Sequence, residues 1–408
     1  MAAQHSVWIV MTALLGVYLG GAGAFLTVPV LAPAIGAELG LAASLAGFHT
    51  ALVYAGTLVS APFTGGLLPR FGGLRLCQLA LVGIAAGIFL ATFASPEFPL
   101  AANAALLAAS AFICGMAHGP VTASGSHLLA PRTPPSRRGL IFSLKQCGVP
   151  AGSMLVAAVA PVVGVGFGWR AGAMTMAALA LLLALLLQPL RAGLDADRLP
   201  PGTHPAGGAG GAVREAASAL ALLRQLPSLR ALTFAGAAFG VAQFCFGSFF
   251  VAWQVSALGT PLAEAGLRMA LAQAGGLVGR IAWGLVADRA GAVRVMAACG
   301  IGAALGTFAL ALAGPHWPGL LVTAVGLILG ATAVGYNGVM LGEVARIAPP
   351  GRVGASTAAL QTVFAFTQII MPTAFSLLVG MTGGYAPGFA LCGACAVIGV
   401  WCLRKRAA

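Results

Sequence analysis

Apolar residues run along this chain in long blocks, each broken by a short stretch of Gly, Pro and Arg. Several blocks exceed the roughly 18 apolar residues that mark a membrane-crossing helix. Twelve are read, over 7–34, 43–68, 74–94, 102–129, 140–167 and 171–190, then 229–257, 263–287, 293–313, 319–344, 354–380 and 386–403. A bilayer core offers no water to unpaired backbone groups, so spans this rich in Leu, Ala and Gly must be helical. No Lys or Arg precedes the first block, and the block continues to Pro29. It is therefore read as a membrane helix rather than a secretory leader.

The pattern occurs twice. Gly65-Gly66-Leu67-Leu68-Pro69-Arg70-Phe71-Gly72-Gly73-Leu74-Arg75 returns as Gly284-Leu285-Val286-Ala287-Asp288-Arg289-Ala290-Gly291-Ala292-Val293-Arg294. Pro134, Pro135, Arg137, Gly139 and Gln146 return, at a constant offset, as Pro349, Pro350, Arg352, Gly354 and Gln361. The expectation is an all-α membrane protein of two pseudo-symmetric six-helix bundles, 1–190 and 229–408. A linker, 191–228, joins them, with Pro200, Pro201 and Gly207-Gly208-Ala209-Gly210-Gly211 inside it. Its stretch from Val213 to Leu226 has the pattern of a short amphipathic surface helix. Two membrane-embedded repeats form a pair of jaws around a central site.

Composition agrees. Charged residues are 7% of the 408 and apolar residues 60%, against roughly 25% charged in soluble domains. Most of the 21 Lys and Arg fall in alternate loops on one side, together with the tail Arg404-Lys405-Arg406. By the positive-inside rule both termini are then cytoplasmic, in a bacterial inner membrane. The net charge of +13 reads as topology. Nucleic-acid binding would need clustered basic and aromatic residues on a soluble face. The eight cysteines sit mostly within spans and read as small packing residues. Cys392 and Cys395 share a helix face but lack companions for a metal or redox pair. No metal or other cofactor is expected, and no nucleophile–base pairing suggests an enzyme.

The loop Gly284-x-x-x-Asp288-Arg289-x-Gly291-x-x-Arg294 resembles the signature between the second and third helices of each half in the major facilitator superfamily. Gly168-Trp169-Arg170 resembles the turn after that family's fifth helix. The resemblance implies a twelve-helix secondary transporter working by alternating access. It also implies a cytoplasmic gate, here Arg70, Asp288, Arg289 and Arg294. In the family the loop acid meets a helix start of the other half, which carries partial positive charge. Pro69 stands in that place in the first copy, so the latch is expected to be one-sided, with Asp288 against the start of the fifth span near Gly139.

Ionisable residues at membrane depth are functional candidates. Arg280 lies two turns inside the eighth span and leans toward the membrane centre. Lys145, in the fifth span, leans toward the cytoplasm, where it either reaches ligand or snorkels out. Arg280 stays protonated, and the spans supply no acid at its depth. An anionic substrate would complete it, since a planar fork matches a carboxylate. Gly279-Arg280-Ile281-Ala282-Trp283-Gly284 also resembles the eighth helix of monocarboxylate and oxalate–formate transporters, where a similarly placed arginine holds the substrate carboxylate. Gly276 stands where monocarboxylate transporters carry an acid. Gln146, Gln361, Gln273, Tyr54, Tyr336 and Asn337 are the polar groups read as further ligands. His49 and His118 are the candidates for proton coupling.

The expected function is transport of a small organic anion, a mono- or dicarboxylate, by a monomer in the bilayer, with protons or a counter-anion as the coupled species. One rival is a drug or metabolite exporter of the same fold in which Arg280 is structural. Another is a transporter-like sensor that binds without flux.

Overall fold

The computed structural model describes residues 6–134, 138–196, 198, 221–349 and 352–407. Pro135, Arg137, Pro350, the linker glycines and 213–220 of the expected surface helix lie outside these. The described residues are helical with no strand. Among the described residues, twelve helical spans are long and apolar enough to cross a membrane. Spans 1 to 6 are Val7–Leu39, Ala43–Phe71, Gly73–Ala91, Leu100–Arg132, Leu144–Phe167 and Trp169–Leu194. Spans 7 to 12 are Pro227–Leu258, Leu262–Ala290, Ala292–Leu312, Gly319–Ile347, Val353–Thr382 and Ala386–Arg404. The expected blocks match these apart from a few residues at their ends.

The repeat is visible in the backbone. Gly40 and Gly259 have φ of 69° and 67°, and Gly72 and Gly291 have 86° and 89°. Both pairs are spaced like the doubled loop. Gly168 and Gly383, spaced like the second set of repeated residues, have 86° and 71°. The left-handed region is strained for any residue with a Cβ. The two copies therefore turn at the same places because both keep glycine there. Packing repeats as well. Gly56 and Gly115 bring the backbones of spans 2 and 4 together, and Gly275, Gly279 and Gly330 do the same for spans 8 and 10. Small residues at helix seams allow this approach in a membrane, where no hydrophobic force drives association.

Several spans are interrupted. Span 5 breaks at Cys147, between Arg138–Gln146 and Gly148–Phe167. Gly148-Val149-Pro150 follows the break, and Gly and Pro together loosen the helix there. Span 10 contains a π-helical turn, Gly330–Val334, before Asn337–Ile347. There Gly330 lies so close to the Ala272 carbonyl that a Cβ would collide. Nothing in the residue pattern anticipated that turn.

The start of the expected linker is ordered. Arg191–Leu194 extends span 6, and the Asp195 carboxylate accepts from the backbone N–H of Leu74 at 2.7 Å and of Arg75 at 3.0 Å. It thus satisfies two orphan donors at the start of span 3, where the helix dipole favours an anion. A Cβ on Gly72 would strike it. The first copy of the loop lost its own acid to Pro69, and its helix start is served by an acid from the end of the same bundle. Near the linker's other end, Leu222 and Leu223 are buried.

Candidate functional site

The two bundles meet along three seams: span 5 with span 8, span 2 with span 11, and span 1 with span 7. At the end away from the chain termini the second seam is tight. A Cβ on Gly47 would collide with the Pro372 carbonyl, the Ser376 hydroxyl and the Phe249 ring. Ser376 donates to the Ser44 carbonyl at 2.6 Å, and the Thr50 and Ser248 hydroxyls pair at 2.8 Å. Behind them Phe249 stacks on Phe375 with ring centroids 4.0 Å apart. Residues 44, 47, 50 and 54 form one helical stripe of span 2, so this whole stripe faces the second bundle. Its last member, Tyr54, meets Phe244 of span 7 edge-on at 5.4 Å and Phe25 of span 1 at 4.9 Å.

At the end carrying the termini the same two spans part. Thr64–Phe71 of span 2 packs on its own bundle. Open space surrounds Gly65 of span 2 and Gly354 of span 11. The residues of the expected gate are apart. Arg70, Asp288, Arg289 and Arg294 are all exposed, and Asp288 forms no hydrogen bond or ion pair with a described residue. Arg294 bonds only the Ala290 carbonyl of its own loop. The latch expected between Asp288 and the start of span 5 is not formed in this state.

Arg280 sits where the first seam reaches the break in span 5. Pro150 has no N–H to offer the carbonyl four residues before it, that of Gln146. Arg280 Nη1 donates to this carbonyl at 2.8 Å, across the two bundles. The rest of the guanidinium is uncommitted. Its Nε is buried without a partner, and Arg280 forms no ion pair among the described residues. Gln146 Oε1, at the same break, is also buried without a partner. Gly266, Gln273 and Arg280 follow one another at seven-residue steps, so they share a face. Gly266 packs on Ala157 and Pro161 of span 5, which aims that face at the seam. Gln273 is buried there and makes no hydrogen bond to a described residue.

The other expected ligands divide. Gln361 is exposed on the stripe of span 11 that continues to Ser376, so it faces the first bundle. Asn337 is half-buried and donates to Gln243 of span 7 at 3.0 Å and to the Val334 carbonyl at 3.1 Å. Tyr336 is fully buried, and its hydroxyl donates to the Gly236 carbonyl at 2.9 Å inside the second bundle. It closes the end of the π-helical turn and does not reach the cleft. Lys145 does not snorkel. At 2% exposure it points into the first bundle, donating to Ser126 Oγ at 2.9 Å with the Phe142 and Tyr18 rings 5.0 and 5.6 Å away. Cation–π contacts stand in for a counter-ion there.

The two histidines also separate. His118 is half-buried, edge-on to Phe25 at 4.5 Å, in the aromatic group that includes Tyr54. His49 lies on the opposite side of span 2 from the sealing stripe, away from the seams. Trp169 and Arg170, in the turn after span 5, both bond Glu38, and Arg170 also bonds the Thr92 and Ala94 carbonyls. That turn therefore clamps the far end of the first bundle. All eight cysteines are free thiols.

Residues 13–372 and 232–408 match the profile of the Major Facilitator Superfamily. The chain belongs to this superfamily. It is a multi-pass membrane transporter of that class. Among curated proteins it is similar to an "Uncharacterized MFS-type transporter" of Mycobacterium tuberculosis, found in strains CDC 1551 / Oshkosh and H37Rv. Identity is 26% over 84% of this chain and 75% of the relative. Among solved structures it resembles a D-xylose-proton symporter, with a TM-score of 0.75, 19% identity and 97% of each chain covered. That likeness concerns the fold alone. Sequence reasoning missed Asp195. Two signals pointed to it: the lost acid at Pro69, and an acidic residue just past span 6 in a chain with only eight.

Proposed function

We propose that this transporter moves a small organic anion, a mono- or dicarboxylate, by rocking the bundles 1–190 and 229–408 about the seam that holds Arg280. The linker 191–228 lies between them. Supporting this is a single observation. A half-buried arginine with no acidic partner among the described residues keeps a buried, unpaired Nε, and Gln146 at the same break keeps an unpaired Oε1. A guanidinium stays charged, and leaving it unmatched in a low-dielectric seam is costly. A carboxylate arriving from the cleft would accept from Arg280, with Gln273, Gln361 and Tyr54 as further polar contacts. Tyr336 and Lys145 are set aside as ligands because each is committed inside its own bundle. His118, beside Tyr54, is the better-positioned group for proton coupling, and anion exchange is the other route. The basic loops favour a bacterial inner membrane with both termini cytoplasmic, so the open end would face the cytoplasm. We read the unit as a monomer.

A second reading has one observation in its favour. The bond from Arg280 Nη1 to the Gln146 carbonyl could be its whole purpose, with the cleft exporting neutral or cationic compounds. Counterflow in proteoliposomes separates the two, using labelled organic acids with and without a pH gradient. Removing one partner of a desolvated charge pair costs about 2–5 kcal/mol. Arg280→Gln should thus lower carboxylate transport on the order of 30-fold or more, and Arg280→Lys should restore only part. Unchanged transport in Arg280→Gln would leave the exporter reading standing.

A further inference from the structure

Outside the seams, between the far ends of spans 1, 2 and 4, is a cavity of about 330 Å³. That is at the lower end of the range that holds small ligands, about 300–1,000 Å³. Its wall is apolar, from Val28, Ile35, Leu52 and Leu107 among others, with one exception, His49. The His49 side chain is 6% exposed, and both its ring nitrogens are buried without a partner. A neutral imidazole carries one donor and one acceptor. Leaving both unmet in an apolar wall is costly. At the rim, Ala42, Leu45 and Ala104 are exposed on the surface of the bundle at the far ends of spans 2 and 4, so the cavity opens there and not into the seams. It is separate from the cleft that holds Arg280.

The geometry points to a binding site outside the seams for an aliphatic molecule ending in a hydroxyl. The hydroxyl can donate or accept, so it can meet one ring nitrogen of His49 whichever tautomer is present. The chain fills the apolar remainder. A plain hydrocarbon tail would leave the imidazole unmatched, and an ionised head group would be stranded without a counter-charge. The site backs onto the sealing stripe, because His49 and Leu52 lie on the face of span 2 opposite Gly47 and Thr50. A molecule seated there braces span 2 against span 11. This inference does not depend on the identity of the transported substrate.

The test uses the full chain in nanodiscs and a photoreactive n-alkanol with a diazirine on its chain. Adducts are mapped by mass spectrometry, with 1-decanol, monoolein or n-decane as competitors. Adducts should concentrate in 28–52 and 104–108. Displacement by 1-decanol or monoolein supports the site, and the stronger of the two tells a free alcohol from a lipid-derived one. His49→Leu keeps the wall but loses the polar group, so 1-decanol should compete about tenfold less well, the loss of one buried hydrogen bond. Ala108→Phe fills the cavity and should abolish the adducts. The inference is overturned by adducts spread evenly over the lipid-facing surface, by n-decane competing as well as 1-decanol, or by unchanged competition in His49→Leu.

Discussion

At the end away from the termini, spans 2 and 11 touch through Ser44, Gly47 and Ser376, and Thr50 of span 2 pairs with Ser248 of span 7. At the other end the same spans diverge, and Gly65 and Gly354 face open space. Both ends place small residues on the seam, so residue size alone does not make one tight and the other open. The difference lies in what each end can satisfy within its own bundle. At the open end, Asp195 meets the span 3 start from within the first bundle, and Asp288 waits without a partner. At the sealed end, Thr50 and Ser248 pair across the seam, and so do Ser376 and Ser44. The lesson is that a rocking interface can hold one end by short neutral hydrogen bonds and backbone contact, which cost little to break.

Substitutions at the two ends should therefore differ in size. Gly47→Leu should have the largest effect. Its side chain would drive into the Pro372 carbonyl and Phe249, and overpacking of this kind costs about 1–3 kcal/mol. Transport should fall about tenfold or more, and spin labels across the sealed end should move apart. Asp195→Ala comes next. It strips a buried carboxylate from two backbone donors, a loss of about 2 kcal/mol. Thermal unfolding in detergent should shift down, while the distances across the seams stay as they are. Thr50→Val removes one hydrogen bond of the seal, about 1 kcal/mol, and should loosen that end without unfolding the protein. Asp288→Asn should be the mildest, within about 0.5 kcal/mol of stability, because the side chain is unengaged here. A large loss of stability in Asp288→Asn would mean that the loop is held by contacts other than those described.

Much of this was legible from the residues. The twelve spans and the doubling follow from apolar block length and repeated loops. These features act locally or repeat, so a linear reading captures them. What was lost depends on partners distant in sequence. Asp195 reads as linker until its target, the span 3 start, is seen beside it. Lys145 reads as a ligand or a snorkelling cation until Tyr18, Phe142 and Ser126 close around it. Tyr336 looks like a cavity residue among glycines, yet the π-helical turn before it rotates the hydroxyl toward Gly236. Arg280 stood out in the residues by its depth and by the likeness of its surroundings to the eighth helix of monocarboxylate transporters. Its bond to the Gln146 carbonyl required knowing that Pro150, on another helix, frees that oxygen.

The most direct test places spin labels in pairs, one across the sealed end at Ala42 and Thr382 and one across the open end at Gly65 and Gly354, in proteoliposomes. A transported carboxylate should lengthen the first distance and shorten the second, and Arg280→Gln should abolish the response to that anion. If both distances stay fixed while transport proceeds, or if the Arg280→Gln protein responds like the parent, the account of two bundles rocking about an anion-binding arginine is contradicted.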